Sequence, residues 1–274
     1  MKSKAIVTGA SRGIGKAIAL ELASLGFDRA LVGRDTSALD AVAEEAQAAS
    51  GDSDISVVSI PADLADENAP EEIVSQTVRW LGGVDLLVNC AGIAQAGSFT
   101  EVTPEQWNSI FAVNARAPFF LCKAALPYLK ESAKPMVINI SSVVGFKGYA
   151  NQSAYSSSKH ALAGFTKVFA KEVQPFGIRV HLISPGGVAT EMVRQTRPDI
   201  NPDDLIQPEE ICEIVRFLVT RKGKGTIDQF YIRRFKHTKK DSGLYKAITV
   251  IMTICGIVYT FMGAVGLLTL AGIL

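Results

Sequence analysis

Short β-rich apolar runs at residues 5–8, 30–32, 55–60, 84–88, 136–141, 178–184 and 227–232 alternate with stretches of helical period. This alternation limits the fold more than any other feature of the chain. A helix between consecutive strands carries the chain back to the same edge of a sheet, so the strands run parallel. A parallel sheet needs helices on both faces, which explains why its strands are apolar throughout. The expected fold class is therefore α/β, a doubly wound parallel sheet of seven strands. Ligands in such a sheet bind outside the strand carboxyl ends.

The first strand–helix junction already looks built for an anion. Gly9-Ala-Ser-Arg-Gly13-Ile-Gly15 joins the run at 5–8 to a helix expected over 14–25. Glycines there let backbone approach a pyrophosphate, and the helix aims N–H groups and a positive dipole end at it. The second strand ends at Gly33-Arg34-Asp35. An acid at that position suits the ribose hydroxyl of NAD, and a basic residue suits the 2′-phosphate of NADP. Arg34, with Arg12 within reach from the glycine turn, favours NADP(H); Asp35 is placed to cap a helix over 37–49. Asp63-Leu64 follows the third strand, where Asp63 either meets an adenine or serves its own turn.

A second concentration of chemistry runs from Ser141 to Lys159. Tyr155 and Lys159 are four residues apart on a helix and share a face. A fixed ammonium beside a phenol is expected to lower its pKa and make it a usable acid and base. Ser142, at the end of the fifth strand, is placed to hold the same substrate oxygen. Asn114 interrupts an apolar stretch of a long helix expected over 105–129, and a buried amide must find partners. It is expected both to pin a helix irregularity and to hold a water near Lys159. Pro185-Gly186-Gly187-Val188-Ala-Thr190 reads as a turn lining a nicotinamide, and Gln207 opens a helix to Thr220 with Pro208 in its first turn.

Residues 1–220 carry 19 Lys and Arg against 25 Asp and Glu, an acidic body that argues against nucleic-acid binding. Cys90, Cys122, Cys212 and Cys255 lack the paired spacing of a metal site and read as reduced thiols. The amino terminus runs straight into a strand, without the features of a signal peptide. The other end differs sharply. Arg233, Arg234, Lys236, Lys239 and Lys240 precede a run from 247 to 274 that holds no charged residue. As a helix that run is about 42 Å long, enough for one tilted span of a hydrocarbon core about 30 Å thick. Basic residues on its flank place the body on the cytoplasmic side and suit anionic headgroups. The competing reading is a buried or dimer-forming helix. The expected division is a catalytic domain at 1–232, a basic juxtamembrane linker at 233–243 and a transmembrane helix at 244–274.

Four motifs fall in order: Thr8-Gly-x-x-x-Gly13-x-Gly15, Asn89-x-Ala-Gly92, Ser142 with Tyr155-x-x-x-Lys159, and Pro185-Gly186. Together they make residues 1–232 resemble the single-domain branch of the short-chain dehydrogenase/reductase family. The resemblance implies a Rossmann-type sheet and a catalytic set of Asn114, Ser142, Tyr155 and Lys159. In that set Tyr is the acid and base, Ser orients the carbonyl, Lys lowers the Tyr pKa and binds ribose, and Asn supports a water. It further implies cofactor contacts from Gly9, Ser11, Arg12, Gly13, Ile14 and Gly15, and from Arg34, Asp63 and Leu64. Asn89, Ala91, Gly92, Tyr155, Lys159, Pro185, Gly186, Val188 and Thr190 complete that set. A homodimer through the family's helical interface is implied as well.

The chain departs from the family pattern at three places. Cys90 replaces an Asn, the lid between Val188 and Ile206 is short enough to leave the pocket open, and strand seven lacks its usual Asp-Gly-Gly ending. The last change removes the basis for the family's carboxyl-terminal tetramer contact. The activity expected is NADPH-dependent reduction of a ketone on a lipophilic substrate at a membrane surface, either a 3-oxoacyl thioester or a 3-ketosphinganine-like chain. Steroid or retinoid oxidoreduction is the alternative within the class. The alternative outside it is a non-catalytic NADP(H)-binding membrane scaffold or redox sensor.

Overall fold

The computed structural model describes residues 2–50 and 54–235. The expected transmembrane helix at 244–274 and most of the basic linker lie outside these residues. Seven parallel strands form one sheet: β1 Lys4–Thr8, β2 Asp28–Gly33, β3 Val57–Pro61, β4 Leu86–Asn89, β5 Met136–Ile140, β6 Arg179–Pro185 and β7 Gln229–Ile232. Their order across the sheet is β3-β2-β1-β4-β5-β6-β7. The order reverses between β1 and β4, and such a switch point opens a crevice at the carboxyl ends.

Alternate side chains of each strand enter one of two cores. On one face Ala5, Val7 and Leu31 pack beneath α1 (Gly13–Ser24), α2 (Thr36–Ala49) and α8 (Pro208–Thr220). On the other, Ile6, Ala30 and Val32 pack with α3 (Ala69–Leu81), α5 (Ala117–Glu131) and α6 (Ser153–Val173). Each fully buried Leu or Ile contributes about 1.5–3 kcal/mol relative to exposure. The two faces together account for the cohesion of a sheet with few polar contacts. Asp85, read as part of an apolar fourth strand, stands just before β4. Its carboxylate accepts hydrogen bonds from Lys4 N–H and the Ser132 hydroxyl, which ties the amino ends of β1 and β4 together.

Helix signals in the sequence are honoured at the ends. Asp35 caps α2 by accepting the Ala38 N–H at 3.1 Å. Gln207 and Glu210 form a reciprocal capping box at the start of α8, with Pro208 in the first turn. The long helix expected over 105–129 is not uniform. It comprises α4 (Pro104–Phe111), a π-helical turn at Ala112–Arg116, and α5. Among the described residues this stretch, Pro104–Glu131, is long and apolar enough to cross a membrane by length and composition. Leu121, Cys122, Ala125 and Leu129 of the same stretch are fully buried in the domain core. Its apolar character therefore belongs to that core.

Candidate active site

Two glycines let the crevice form. Gly9 has φ +68°, and a Cβ there would lie 2.8 Å from Ala91 Cα. At Gly15 a Cβ would meet the Gly9 carbonyl oxygen at 2.1 Å. Any side chain at either position forces the turn away from β4 or from its own helix. Thr8 closes the same junction: its hydroxyl oxygen accepts N–H bonds from Cys90 at 3.0 Å and Ala91 at 3.1 Å. The amino terminus of α1 faces the crevice with Arg12 at its N-cap position, and the Arg12 side chain makes no capping bond to the helix.

A cavity of about 590 Å³ occupies this crevice. Its walls are the glycine turn (Gly9 and 11–15), Gly33 and Arg34, residues 62–65, residues 90–94, and the lid at 189–192 and 194–196. Of the residues expected at a cofactor, Gly9, Ser11, Arg12, Gly13, Ile14, Gly15, Arg34, Asp63, Leu64, Ala91, Gly92 and Thr190 line it. Asp63 also accepts the Ala65 N–H at 2.9 Å, so its carboxylate serves its own turn.

Eight residues of the expected sets do not line that cavity, Tyr155 and Lys159 among them, and each has an identifiable place. Asn89 is buried; its amide donates to Asn139 at 2.8 Å and approaches the Cys122 sulfur. Asn139 in turn donates to the Thr166 hydroxyl, so the three residues join β4, β5 and α6 inside the core. The nitrogen of the amide expected at the cofactor is thus engaged within the core, while its buried Oδ1 has no hydrogen-bond partner among the described residues. Pro185, Gly186 and Val188 form the base of the lid, where Gly186 N–H donates to the Ile232 carbonyl and Val188 bridges Ile206. Ser142 and Asn114 belong to the group around Tyr155.

Tyr155 stands in the first turn of α6, and Ser142 follows β5 as the cap of a short 3₁₀ turn. Ser142 accepts the Val144 N–H at 3.3 Å and donates to the Pro185 carbonyl at 3.4 Å. The Lys159 ammonium is buried and donates to the Ile140 carbonyl at 3.0 Å. Asn114 sits in the π-helical turn, where its amide donates to Ile93 O at 2.8 Å and Ser158 Oγ at 3.0 Å. Its oxygen accepts the Ile93 N–H at 2.9 Å. The expected pin on a helix irregularity is therefore present, with the loop after β4 as its other half. A Cβ on Gly92 would lie 3.3 Å from Asn114 Oδ1 and 3.5 Å from Lys159 Nζ, so the bare glycine lets the loop after β4 pass close against those two polar groups.

The electrostatics correct one expectation. Lys159 Nζ lies over the Tyr155 ring, 6.0 Å from its centroid, and makes its hydrogen bond to the Ile140 carbonyl. Burial pushes the Tyr155 hydroxyl up to about 12, against the opposing effect of its hydrogen bond with Ser142. Burial also lowers the Lys159 ammonium to about 8. The phenol is consequently a protonated donor at neutral pH, and the ammonium is still mainly charged. Cys90, beside both, is a buried-type thiol raised to about 12 and stays protonated.

The short lid is not open at its root. Its helix α7 (Glu191–Thr196) is capped by Thr190, and Arg12 Nη1 meets Glu191 Oε2 at 2.6 Å. Arg12, expected at a phosphate, here links the glycine turn to the lid. Glu191 was not identified from the sequence; an acid in a first helical turn is commonplace and carries no signal of a partner 179 residues away.

A glycine turn feeding an uncapped helix at a β1/β4 switch point defines a dinucleotide-binding α/β protein, and the Ser, Tyr and Lys group that adjoins it at Gly92 adds proton-transfer chemistry. The family description short chain dehydrogenase matches residues 3–201. A 3-oxoacyl-[acyl-carrier-protein] reductase of Synechocystis sp. is 33% identical over 226 residues, covering 79% of this chain and 88% of that protein. A metagenomic short-chain oxidoreductase solved in complex with NADP has 32% identity and a TM-score of 0.74, covering 86% of this chain and 98% of that one. A blue fluorescent protein from a metagenomic library, solved with NADPH, has 31% identity and a TM-score of 0.76, with 85% and 96% covered. The chain belongs to the short-chain dehydrogenase/reductase family, whose members are nicotinamide-dependent oxidoreductases.

Proposed function

We propose that this protein reduces a ketone on a lipophilic substrate to a secondary alcohol with NADPH, held at a membrane by its carboxyl-terminal segment. The carrying observation is the Ser142–Tyr155–Lys159 group next to the cavity, with Lys159 Nζ against Gly92, which lines the cavity together with the glycine turn. That wall fits a dinucleotide: Gly9 and Gly15 leave no room for side chains, and the amino terminus of α1, left uncapped by Arg12, suits a pyrophosphate. Arg34 at the end of β2 suits a 2′-phosphate. NADPH, when bound, supplies the hydride.

The chain's own residues manage the oxygen. Tyr155 holds a proton at neutral pH and delivers it to the substrate oxygen as negative charge develops there. Ser142 donates to the same oxygen and fixes the carbonyl plane. Lys159 keeps a positive charge below the site that stabilises the phenolate left behind. Asn114 and Lys159, both against Gly92, would hold the water that returns a proton to Tyr155.

The apolar run at 247–274 and the basic residues before it support a single-pass anchor with the domain on the cytoplasmic side. The Synechocystis relative favours a 3-oxoacyl thioester over steroid-like ketones. Exposed Phe119, Phe120 and Val168 on α5 and α6 support pairing of two copies through those helices. NADPH consumption by the full chain with long- and short-chain 3-oxoacyl thioesters tests the reading. Turnover of the long chains that disappears in Tyr155→Phe supports it. Equal turnover of both lengths removes the lipid assignment, and NADPH binding without turnover of any ketone favours the scaffold.

A further inference from the structure

We infer that Arg116 is a positioning residue for the adenosine half of NADPH, acting through the cavity wall at 62–65 and not by touching the cofactor. The inference rests on the dinucleotide reading of the cavity and adds a residue outside both the glycine turn and the Ser142–Tyr155–Lys159 group. Arg116 closes the π-helical turn at Ala112–Arg116, where Ala117 N–H donates to the Ala112 carbonyl five residues back. A π turn holds one residue more than an α turn, and such turns are frequent at functional sites. This one sends three side chains to three places. Val113 lines the cavity, Asn114 holds Ile93 beside it, and Arg116 reaches the segment after β3.

That segment stands at the adenosine end. Ala62 N–H donates to the Gly33 carbonyl at 2.8 Å, so the wall begins beside Arg34, the residue suited to a 2′-phosphate. Beyond Ala62 the chain makes a tight turn held by its own groups. The Asp63 carboxylate accepts the Ala65 N–H at 2.9 Å, and the Asp63 carbonyl accepts the Asp66 N–H at 3.0 Å. These bonds set the shape of the turn but not its place against the crevice. Its place comes from Leu64, which packs into the core with α3 and α5, and from Arg116.

Arg116 Nη2 donates to the Ala65 carbonyl, and Nη1 meets Glu67 Oε1 at 2.8 Å. The planar guanidinium thus grips the segment at two points in a fixed fork. Glu67 is 79% exposed, so its charge is screened and the carbonyl bond is the effective one. The grip exists before a cofactor arrives, which removes the entropy of ordering the wall from the binding step. One helical turn therefore serves two separable ends: Arg116 sets affinity for the cofactor, and Asn114 fixes the loop beside Lys159.

The test uses the full-length chain. Arg116→Met keeps an aliphatic stem and removes both bonds; Arg116→Lys keeps the charge without the fork and carries the same comparison should the first variant not fold. Each is titrated with NADPH and with adenosine 2′,5′-bisphosphate, which represents the adenosine half alone. Both dissociation constants should rise by about ten-fold in Arg116→Met, the scale of ordering one residue's backbone, and by less in Arg116→Lys, with kcat at saturating NADPH held within about two-fold. In the cofactor-free protein, amide hydrogen exchange at 65–68 should quicken while that at Ile93 stays slow. Unchanged affinity for both ligands, or weaker NADPH binding with the bisphosphate unaffected, overturns the inference. So does a loss of kcat with faster exchange at Ile93, which would make Arg116 a general brace of the π turn. An unaltered chain that binds neither ligand removes the dinucleotide reading itself.

Discussion

Arg12 Nη1 and Glu191 Oε2 lie 2.6 Å apart, joining the glycine turn to the first turn of the lid helix across the cavity mouth. Both side chains are well exposed, at 71% and 52%, so the pair is screened and adds little to folding stability. Its effect is on access. Glu191→Gln frees Arg12 for an incoming phosphate and loosens the lid. The expected result is an unchanged melting temperature with NADPH binding strengthened by about five-fold or less, the scale of an exposed ion pair. Titration of NADPH fluorescence in the two proteins measures it.

Arg34 tests cofactor choice. A charged hydrogen bond to a phosphate contributes about 1.5–3 kcal/mol, and Arg34→Asp replaces it with repulsion. The preference for NADPH over NADH should fall by at least about ten-fold. The ratio of kcat/KM for the two cofactors reports this directly.

Tyr155→Phe removes the proton donor and little else. Turnover should fall by about 10²–10⁴, the usual contribution of a positioned acid, while NADPH affinity stays within error. A parallel loss of NADPH binding would place Tyr155 in the binding wall instead.

Lys159 makes a pH prediction. Its folded pKa, about 8, is below the ordinary 10.5, so the unfolded chain binds more protons between those values. Burying the ammonium therefore costs stability below pH 8, and the cost disappears as pH rises toward 10.5. The shift corresponds to about 3 kcal/mol, less the bond to Ile140. Lys159→Met should be inactive yet resist urea better than the unaltered protein at pH 7, with the advantage shrinking as pH approaches 10. Activity of the unaltered protein should decline as pH passes about 8 and the charge is lost.

Asn114→Ala leaves the Ile93 N–H and carbonyl without their partner. Each abandoned group costs about 1–3 kcal/mol, and the melting temperature should drop by several degrees, about 2–4 °C per kcal/mol in a domain this large. Turnover should drop with it, because the loop from 90 to 94 loses its fixture.

Much of this was legible in the sequence because it is local. The seven strands, their parallel sense and the glycine turn follow from apolar runs, spacing and residues such as Gly9 and Gly15 that tolerate no replacement. The capping roles of Asp35 and Pro208 follow from neighbours three residues away. What escaped depends on distant approach. Asn89 has the same composition whether it faces a cofactor or Asn139, and only the register of β4 against β5 decides. Lys159 was expected to lower the Tyr155 pKa because four-residue spacing puts both on one face. The spacing does not reveal that Nζ bonds to the Ile140 carbonyl or that burial raises the phenol against its bond with Ser142.

The hydroxyl of Thr8, which takes the N–H groups of Cys90 and Ala91, stitches the two halves of the sheet together at their point of divergence. The gap there has a fixed gauge, since widening it would strand two donors. Cofactor exchange is consequently expected to be a matter of a swinging door and not of a parting wall, with the give coming from the segment between Val188 and Ile206.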